Sequence, residues 1–177
     1  MIMKLKQADL LFVKNGHSDL DEGIAESTGN FVHVAILADE ENVIHATADS
    51  GVCLQSLQRF LEKNKSADVY RTNVKNTKQI IINAKTHLGK PYNFSFQPGT
   101  NSFYCSQFVV TAFEDFVKFS EQPMFFGDRR KQISDFWAAY YKELNEPVPV
   151  NVLGTNPNDM SHDPQLHYVG KLTYNLN

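Results

Sequence analysis

The order of hydrophobic and polar positions along the chain predicts strands first and helices afterwards. Alternating or continuous apolar runs between turn residues predict strands, and apolar residues at spacings of three and four predict amphipathic helices. The predicted strands are Asp9–Lys14, Phe31–Ala38, Asn42–Thr47, Val52–Leu54, Val69–Arg71 and 166–174. The predicted helices cover 54–64, 75–88, 104–119 and 132–145, with a short one near 20–27. This order is typical of an α+β fold rather than a regular parallel βαβ array.

The length of the chain predicts one domain over residues 1–177. A chain of 177 residues with 42% hydrophobic content can bury a core of its own. Segment 147–164 contains several prolines but also Val148, Val150 and Leu153. We therefore expect a long connection that packs across the surface before the final strand.

Composition and charge exclude several classes of function. The formal net charge is -3 and the lysines are scattered, so we expect no nucleic-acid partner. The N-terminus lacks the apolar segment of a signal peptide, and no run approaches the length of a membrane span. We expect a soluble cytoplasmic protein, or an exported one if a leader has been removed, and the sequence predicts no oligomeric state. Cys53 and Cys105 have unlike surroundings and are expected to be free thiols.

The tetrapeptide Tyr104-Cys105-Ser106-Gln107 lies where a polar loop meets the apolar-periodic segment 104–119. Ser102 or Asn101 is expected to cap this helix, which places Cys105 in its first turn. There the unpaired N–H groups and the positive end of the helix dipole favour the thiolate, the nucleophilic form of cysteine. The alternative is a small buried cysteine that only packs.

Two histidines in a predicted hairpin are the candidate bases. A three-residue turn over 38–40 would pair residue 37 with 41 and therefore His33 with His45. Direct cross-strand neighbours of this kind have Cβ atoms about 4.5–5.5 Å apart. One imidazole can then contact a thiolate while the other fixes its tautomer, which is the arrangement of nucleophile, base and orienting group.

Two other interpretations of these histidines stay open. A lone histidine on a buried strand, such as His33, is more often a core residue with satisfied hydrogen bonds. His33, His45 and a thiolate could also supply three ligands to zinc, although their spacing matches no compact metal-binding motif.

Five segments spread over most of the chain share a pattern with a known family. They are Ala8-Asp9-Leu10-Leu11-Phe12, Phe31-Val32-His33-Val34-Ala35-Ile36, Val43-Ile44-His45-Ala46 with Gly51-Val52, Leu88-Gly89-Lys90-Pro91-Tyr92-Asn93, and Tyr104-Cys105-Ser106-Gln107-Phe108-Val109. In these segments the chain resembles the permuted NlpC-like cysteine hydrolases of the papain superfamily, specifically the YiiX/YebB-like group. Lecithin:retinol acyltransferase-like proteins are more distant relatives. The histidine strand precedes the cysteine helix, as in the permuted members.

The resemblance implies a circularly permuted papain-like (NlpC-type) α+β fold, with a central antiparallel sheet packed against helices and the nucleophile at a helix N-terminus. It implies a nucleophilic Cys105, a general base in His33 and a third polar residue at His45. Tyr92 matches the family's active-site tyrosine, which can bind substrate or the oxyanion, and no cofactor or metal is implied. The chain departs from the group's commoner pattern at His45, where a glutamate is expected, and at Asn93, where an aspartate is usual.

The function expected from these features is a thiol hydrolase that cleaves an amide bond through a thioester intermediate. Its substrate would be a small amide, a peptide or an acyl compound. Alternatives are an acyltransferase or lipid/ester hydrolase on the same site, a catalytically silent binding module, and a zinc-binding protein.

Residues outside the candidate site are expected to be structural. Cys53 has no histidine partner in phase and is interpreted as a packing residue, whereas Asp9 is expected to anchor backbone. The other histidines are expected to be solvated or to cap helices, and they are His17, His87, His162 and His167. The run Met124-Phe125-Phe126, and aromatic residues such as Phe96 that are near the thiol in sequence, could line an apolar substrate pocket or could only pack in the core.

Overall fold

The computed structural model describes residues 3–14, 18–99 and 101–174. Its main element is an antiparallel sheet of six strands in the order β4-β3-β2-β1-β5-β8. The strands are β1 Leu10–Lys14, β2 Phe31–Leu37, β3 Asn42–Thr47, β4 Gly51–Ser56, β5 Ser66–Arg71 and β8 His167–Thr173. A separate two-stranded ribbon is formed by β6 Gln122–Pro123 and β7 Leu153–Gly154. The prediction of a central antiparallel sheet is confirmed.

The helices surround this sheet. They are α1 Asp19–Thr28, α2 Leu57–Asn64, α3 Thr77–Thr86, α4 Cys105–Phe113, α5 Asp135–Leu144 and α6 Pro157–Ser161. Side chains such as Ser18, Ser56 and Ser134 accept hydrogen bonds from free N–H groups in the first turn of α1, α2 and α5. Each predicted helix is present, but α4 ends at Phe113 instead of extending to 119.

Alternating side chains of the sheet build two hydrophobic layers. Val34 and Ile36 belong to the larger layer, together with Cys105 and Phe108 of α4. Ala35 and its neighbours in phase lie on the opposite face, where Phe60 of α2 covers them. This division follows from the period of two along a strand.

A third cluster is aromatic and lies beside the start of α4. It comprises Phe96, Tyr104, Phe126, Trp137 and Tyr141. The Trp137 indole donates a hydrogen bond of 2.9 Å to the Ser27 hydroxyl, which ties α5 to α1. The cluster therefore joins the loop before α4 to the helices that cover the end of the sheet.

Segment 147–164 is more structured than a plain connection. It contains β7 and α6, and Met160 of α6 is buried in the larger core layer. Pro157 occupies the first turn of α6, where its missing N–H costs nothing. The segment therefore contributes to the core as well as to the surface.

The register of the β2–β3 hairpin differs from the prediction. Leu37 pairs with Val43 rather than with residue 41, so the predicted direct pairing of His33 with His45 is wrong by two residues. The Asp39 carboxylate accepts hydrogen bonds of 2.9 Å from the Glu41 N–H and from the Asn42 side chain, which stabilises a longer turn. An offset of two residues keeps both histidines on the same face.

A buried ion pair holds the start of β1 to the end of β5. The Arg71 guanidinium donates two hydrogen bonds to the Asp9 carboxylate, at 2.6 Å from Nε and 2.7 Å from Nη2. Asp9 is fully buried and also accepts from the Lys6 N–H at 2.8 Å. The expectation that Asp9 anchors backbone is confirmed.

We expect Asp9→Ala to lower the free energy of unfolding by about 3–5 kcal/mol, because Arg71 would lose its partner inside the fold. Urea unfolding followed by circular dichroism measures this change. Lys14→Ala is the control, since the Lys14–Asp68 pair is half exposed on the lysine side and should contribute less than about 1 kcal/mol. Equal losses in the two variants would contradict the role assigned to Asp9.

Candidate active site

Cys105 is the first residue of α4 and is only 4% exposed. The N-cap is Tyr104, so the predicted capping by Ser102 or Asn101 is wrong. Gln107 explains the difference, because its side-chain oxygen accepts the Tyr104 N–H at 3.2 Å. A glutamine three residues after the cap is a sequence signal for this boundary.

Asn93 fixes the loop that precedes α4. Its side-chain nitrogen donates to the Gln107 oxygen at 3.1 Å and to the Gln97 carbonyl at 2.8 Å. Its oxygen accepts from the Ser95 hydroxyl at 2.9 Å, and the residue is 2% exposed. The amide that stands where an aspartate is usual therefore positions the first turn of α4, a role that the sequence did not predict.

Burial decides the protonation state of the Cys105 thiol. It raises the thiol pKa to about 12, although the N–H groups of Val34, Ser106 and Cys105 itself hydrogen bond to the sulfur and lower the pKa. The Asp21 carboxylate raises it further. The predicted thiolate is therefore wrong for this state of the protein, in which the sulfur keeps its proton.

His33 and His45 form a direct hydrogen bond. Nε2 of His33 lies 2.9 Å from Nδ1 of His45, and the rings meet edge to face. The diagonal placement of the two residues on β2 and β3 still allows contact, because imidazole side chains reach across a two-residue offset. The Phe60 ring lies beside both rings on the same face of the sheet.

Both imidazoles are neutral in the resting protein. Burial lowers the pKa of His33 to about 4, with a smaller effect from the charge of Lys63. Burial also lowers the pKa of His45 well below its usual value, and the charges of His33 and Lys63 add to this effect. Nε2 of His45 is buried without a hydrogen-bond partner among the described residues.

The backbone of β2 connects the thiol to the histidine pair. The N–H group that hydrogen bonds to the Cys105 sulfur belongs to Val34, the residue that follows His33. The recorded β2–β3 pairing stops at Ile36 and Ile44, before it reaches His33. Within the described part of the chain, neither imidazole makes a hydrogen bond to the sulfur.

Tyr92 lies between the two groups. It lines a cavity of about 380 Å³ together with His33 and His45, and it also lines a smaller cavity with Cys105. Burial raises its pKa well above the usual value, so its hydroxyl is a hydrogen-bond donor throughout the physiological range. Of the four residues predicted for the site, His33 and His45 line the larger cavity, Cys105 lines the smaller one, and Tyr92 lines both. Ile24 of α1 also lines both cavities.

Cys53 does not fit its predicted place. It is the direct cross-strand partner of His45 in the β3–β4 ladder and lines the larger cavity, so the prediction that it has no histidine in phase is wrong. Both cysteines are free, as expected. Burial raises the pKa of Cys53, which opposes a nucleophilic role.

Comparison with known proteins identifies the family. Residues 4–170 match the model of the permuted papain-like amidase enzymes, the YaeF/YiiX or C92 family. The chain belongs to the C92 family. Its members are cysteine peptidases and amidases, so this chain is a cysteine hydrolase that acts on an amide or peptide substrate. No protein with a curated description matches the sequence significantly.

A solved structure shares the C92 fold. The crystal structure of the metalloprotein yiiX from Escherichia coli O157:H7 superimposes with a TM-score of 0.79 at 21% sequence identity. The match covers 96% of this chain and 98% of that one. It confirms the permuted papain-like arrangement of the sheet and helices.

The arrangement of the donor groups bears on the zinc alternative. Residues 3–14, 18–99 and 101–174 contain no group of three or more His, Cys, Asp or Glu side chains arranged to hold a metal ion. The facing nitrogens of His33 and His45 are already bonded to each other. These contacts give no support to the zinc site that the sequence left open.

No helix in the described ranges is long and apolar enough to cross a membrane.

We expect the stability of the protein to fall between about pH 6.5 and pH 4. In this window the unfolded chain protonates His33, whose ordinary pKa is 6.5, while the folded protein keeps it neutral down to about 4. The difference is worth up to about 3 kcal/mol and is present in full only above pH 6.5. His33→Gln should flatten this part of the curve of unfolding free energy against pH. Curves of equal slope for wild type and His33→Gln would show that His33 is not a buried neutral imidazole in the folded protein.

Proposed function

We propose that the protein hydrolyses an amide bond with the Cys105 thiol as nucleophile, His33 as general base and His45 as the group that orients His33. The observation that carries the proposal is the hydrogen bond of 2.9 Å between the two histidines. Val34 follows His33 along β2, and its backbone N–H hydrogen bonds to the Cys105 sulfur. These two contacts support a chain of nucleophile, base and orienting group in the order that thiol catalysis requires.

The proposed roles require one tautomer of the histidine pair. His33 must donate its Nε2 proton to Nδ1 of His45, which leaves Nδ1 of His33 free as a base. His33 lines the larger cavity, and its Nδ1 makes no hydrogen bond to a described residue. His45 then carries its proton on Nε2, the buried nitrogen without a partner.

Attack begins from a neutral thiol and a neutral imidazole. The sulfur forms a bond to the substrate carbonyl carbon while its proton moves to Nδ1 of His33, and the carbonyl oxygen becomes an oxyanion. The oxyanion is stabilised by the Cys105 N–H at the start of α4 and by the Tyr92 hydroxyl. The sulfur and Nδ1 of His33 must come into hydrogen-bond contact when substrate binds, since catalytic hydrogen bonds often form fully only in the substrate complex.

Collapse of the intermediate releases the amine and leaves a thioester on Cys105. The amine nitrogen takes the proton from His33 as the carbon–nitrogen bond breaks. Water from the larger cavity then gives a proton to His33 and attacks the thioester, and the sulfur leaves with that proton as the thiol. The cycle returns the pair of histidines to its neutral form.

We expect Cys105→Ala to abolish amide cleavage and His33→Ala to lower kcat by about 10²–10⁴-fold, because each removes a reacting group. Cys53→Ala is the matched control, since that thiol lines the cavity of the two histidines but has no part in the proposed reaction. Release of free amine from a panel of dipeptides and N-acyl amino acids measures the effect. Amide cleavage that is lost in Cys53→Ala but kept in Cys105→Ala would show that Cys53, and not Cys105, is the nucleophile.

The proposal also predicts how the orienting residue sets the pH profile. A carboxylate in place of His45 would stabilise the imidazolium of His33 and raise its pKa. We therefore expect His45→Glu to shift the acidic limb of kcat/KM to higher pH by about one unit or more.

His45→Gln is the neutral control for that variant. It keeps an acceptor for the Nε2 proton of His33 and should leave the acidic limb in place while lowering kcat. Melting temperatures identify any variant that fails to fold. Identical pH profiles in all three folded proteins would contradict the contact between His45 and the general base.

A further inference from the structure

Cys105 and the two histidines of the proposed site line different cavities. His33 and His45 line the larger one, of about 380 Å³, which also carries Asp49 and Lys63. Cys105 lines the smaller one, of about 40 Å³. Tyr92 and Ile24 line both, so the two cavities adjoin at these side chains.

The smaller cavity has apolar walls and contains no charged side chain among its lining residues. Its lining residues include Phe96, Met124, Phe125, Phe126 and Trp137, the rings of Tyr92 and Tyr104, and the uncharged polar residues Thr28, Thr155 and Asn156. Its Ser106 hydroxyl is buried and has no hydrogen-bond partner among the described residues. Such a cavity accepts an uncharged group and penalises an ion, which would lose its hydration without gaining a partner.

The chemistry of thiol catalysis assigns the two cavities to opposite sides of the substrate bond. The acyl group stays attached to sulfur in the thioester, so it occupies the cavity that contains Cys105. The amine departs with the proton of the general acid, so it occupies the cavity that contains His33. This assignment rests on the proposed function.

We infer that the cavity beside Cys105 selects the acyl side of the substrate, and that it favours a short, uncharged, apolar group. Its volume is about 40 Å³, which is room for about three water molecules at 10–15 Å³ each. A branched chain of a few carbons fits this space, whereas a long fatty acyl chain does not. The polar amine side is bound in the larger cavity.

Acylation of Cys105 by p-nitrophenyl esters tests the acyl side without any requirement on the amine. The panel contains acetyl, isovaleryl, octanoyl and succinyl esters, and p-nitrophenol release is measured with the mass of the acylated protein. We expect the isovaleryl ester to react with a kcat/KM at least about tenfold above those of the acetyl, octanoyl and succinyl esters.

Met124→Ala gives a second, directional test of the same cavity. Met124 lines it and is partly buried, so the truncation should enlarge the cavity and move the preference from isovaleryl toward octanoyl. Leu153→Ala is the control, because Leu153 lies in the adjacent strand β7, is 58% exposed and does not line the cavity. Its ester preference should equal that of wild type.

The outcomes separate this inference from the proposed function. Acylation of Cys105 with no preference, or with octanoyl or succinyl preferred in wild type, overturns the inference and leaves Cys105 as the nucleophile. Release of p-nitrophenol that is unchanged in Cys105→Ala, with no acyl group on Cys105, overturns both. An isovaleryl preference that Met124→Ala shifts and Leu153→Ala does not would support the inference.

Discussion

The site depends on the way the first turn of α4 is held against the open end of the β2–β3 hairpin. Gln107 accepts the Tyr104 N–H and the Asn93 side-chain N–H, so one buried oxygen joins the loop before α4 to its cap. The rest of α4 packs on β2 through the larger core layer. Because the helix cannot shift without breaking these contacts, the Cys105 sulfur stays against the Val34 N–H of β2, the strand that also carries His33.

Burial controls the electrostatics of the site more than the helix dipole does. The effect of a helix N-terminus on a charge is about 0.3–1 kcal/mol at exposed positions, whereas burial of an ionised group costs several kcal/mol. At Cys105 burial prevails and the pKa rises to about 12, while the pKa of His33 falls to about 4. The resting groups are therefore a thiol and an imidazole. In the proposed mechanism charge develops only during attack, as an oxyanion on the substrate and an imidazolium at His33.

The sequence predicted the elements well because their signals are local. The apolar spacing along α4 and the apolar residues of β2 both reflect burial against a neighbouring layer. The positions of apolar residues within a short segment are enough to reveal such burial. It also brought His33 and His45 to one face, because an error of two residues in register preserves side-chain parity. The motifs shared with the family then assigned the role of nucleophile to Cys105.

What the sequence missed depends on contacts between distant segments. The Asp39 side chain stabilises the turn that sets the register of the β2–β3 hairpin. The pairing of Cys53 with His45 depends on the register of β4, for which the sequence predicted only the short strand Val52–Leu54. The thiol pKa depends on how deeply α1 and Tyr92 cover Cys105, which no local pattern reports. The role of Asn93 likewise appears only when its loop meets α4.

The most direct test of the account is rapid-quench mass spectrometry during turnover of an amide substrate. The account predicts a transient increase in protein mass equal to the acyl group, located on the peptide that contains Cys105. Acylation confined to Cys53, or steady amide turnover with no acyl group on Cys105 at any quench time, would contradict it.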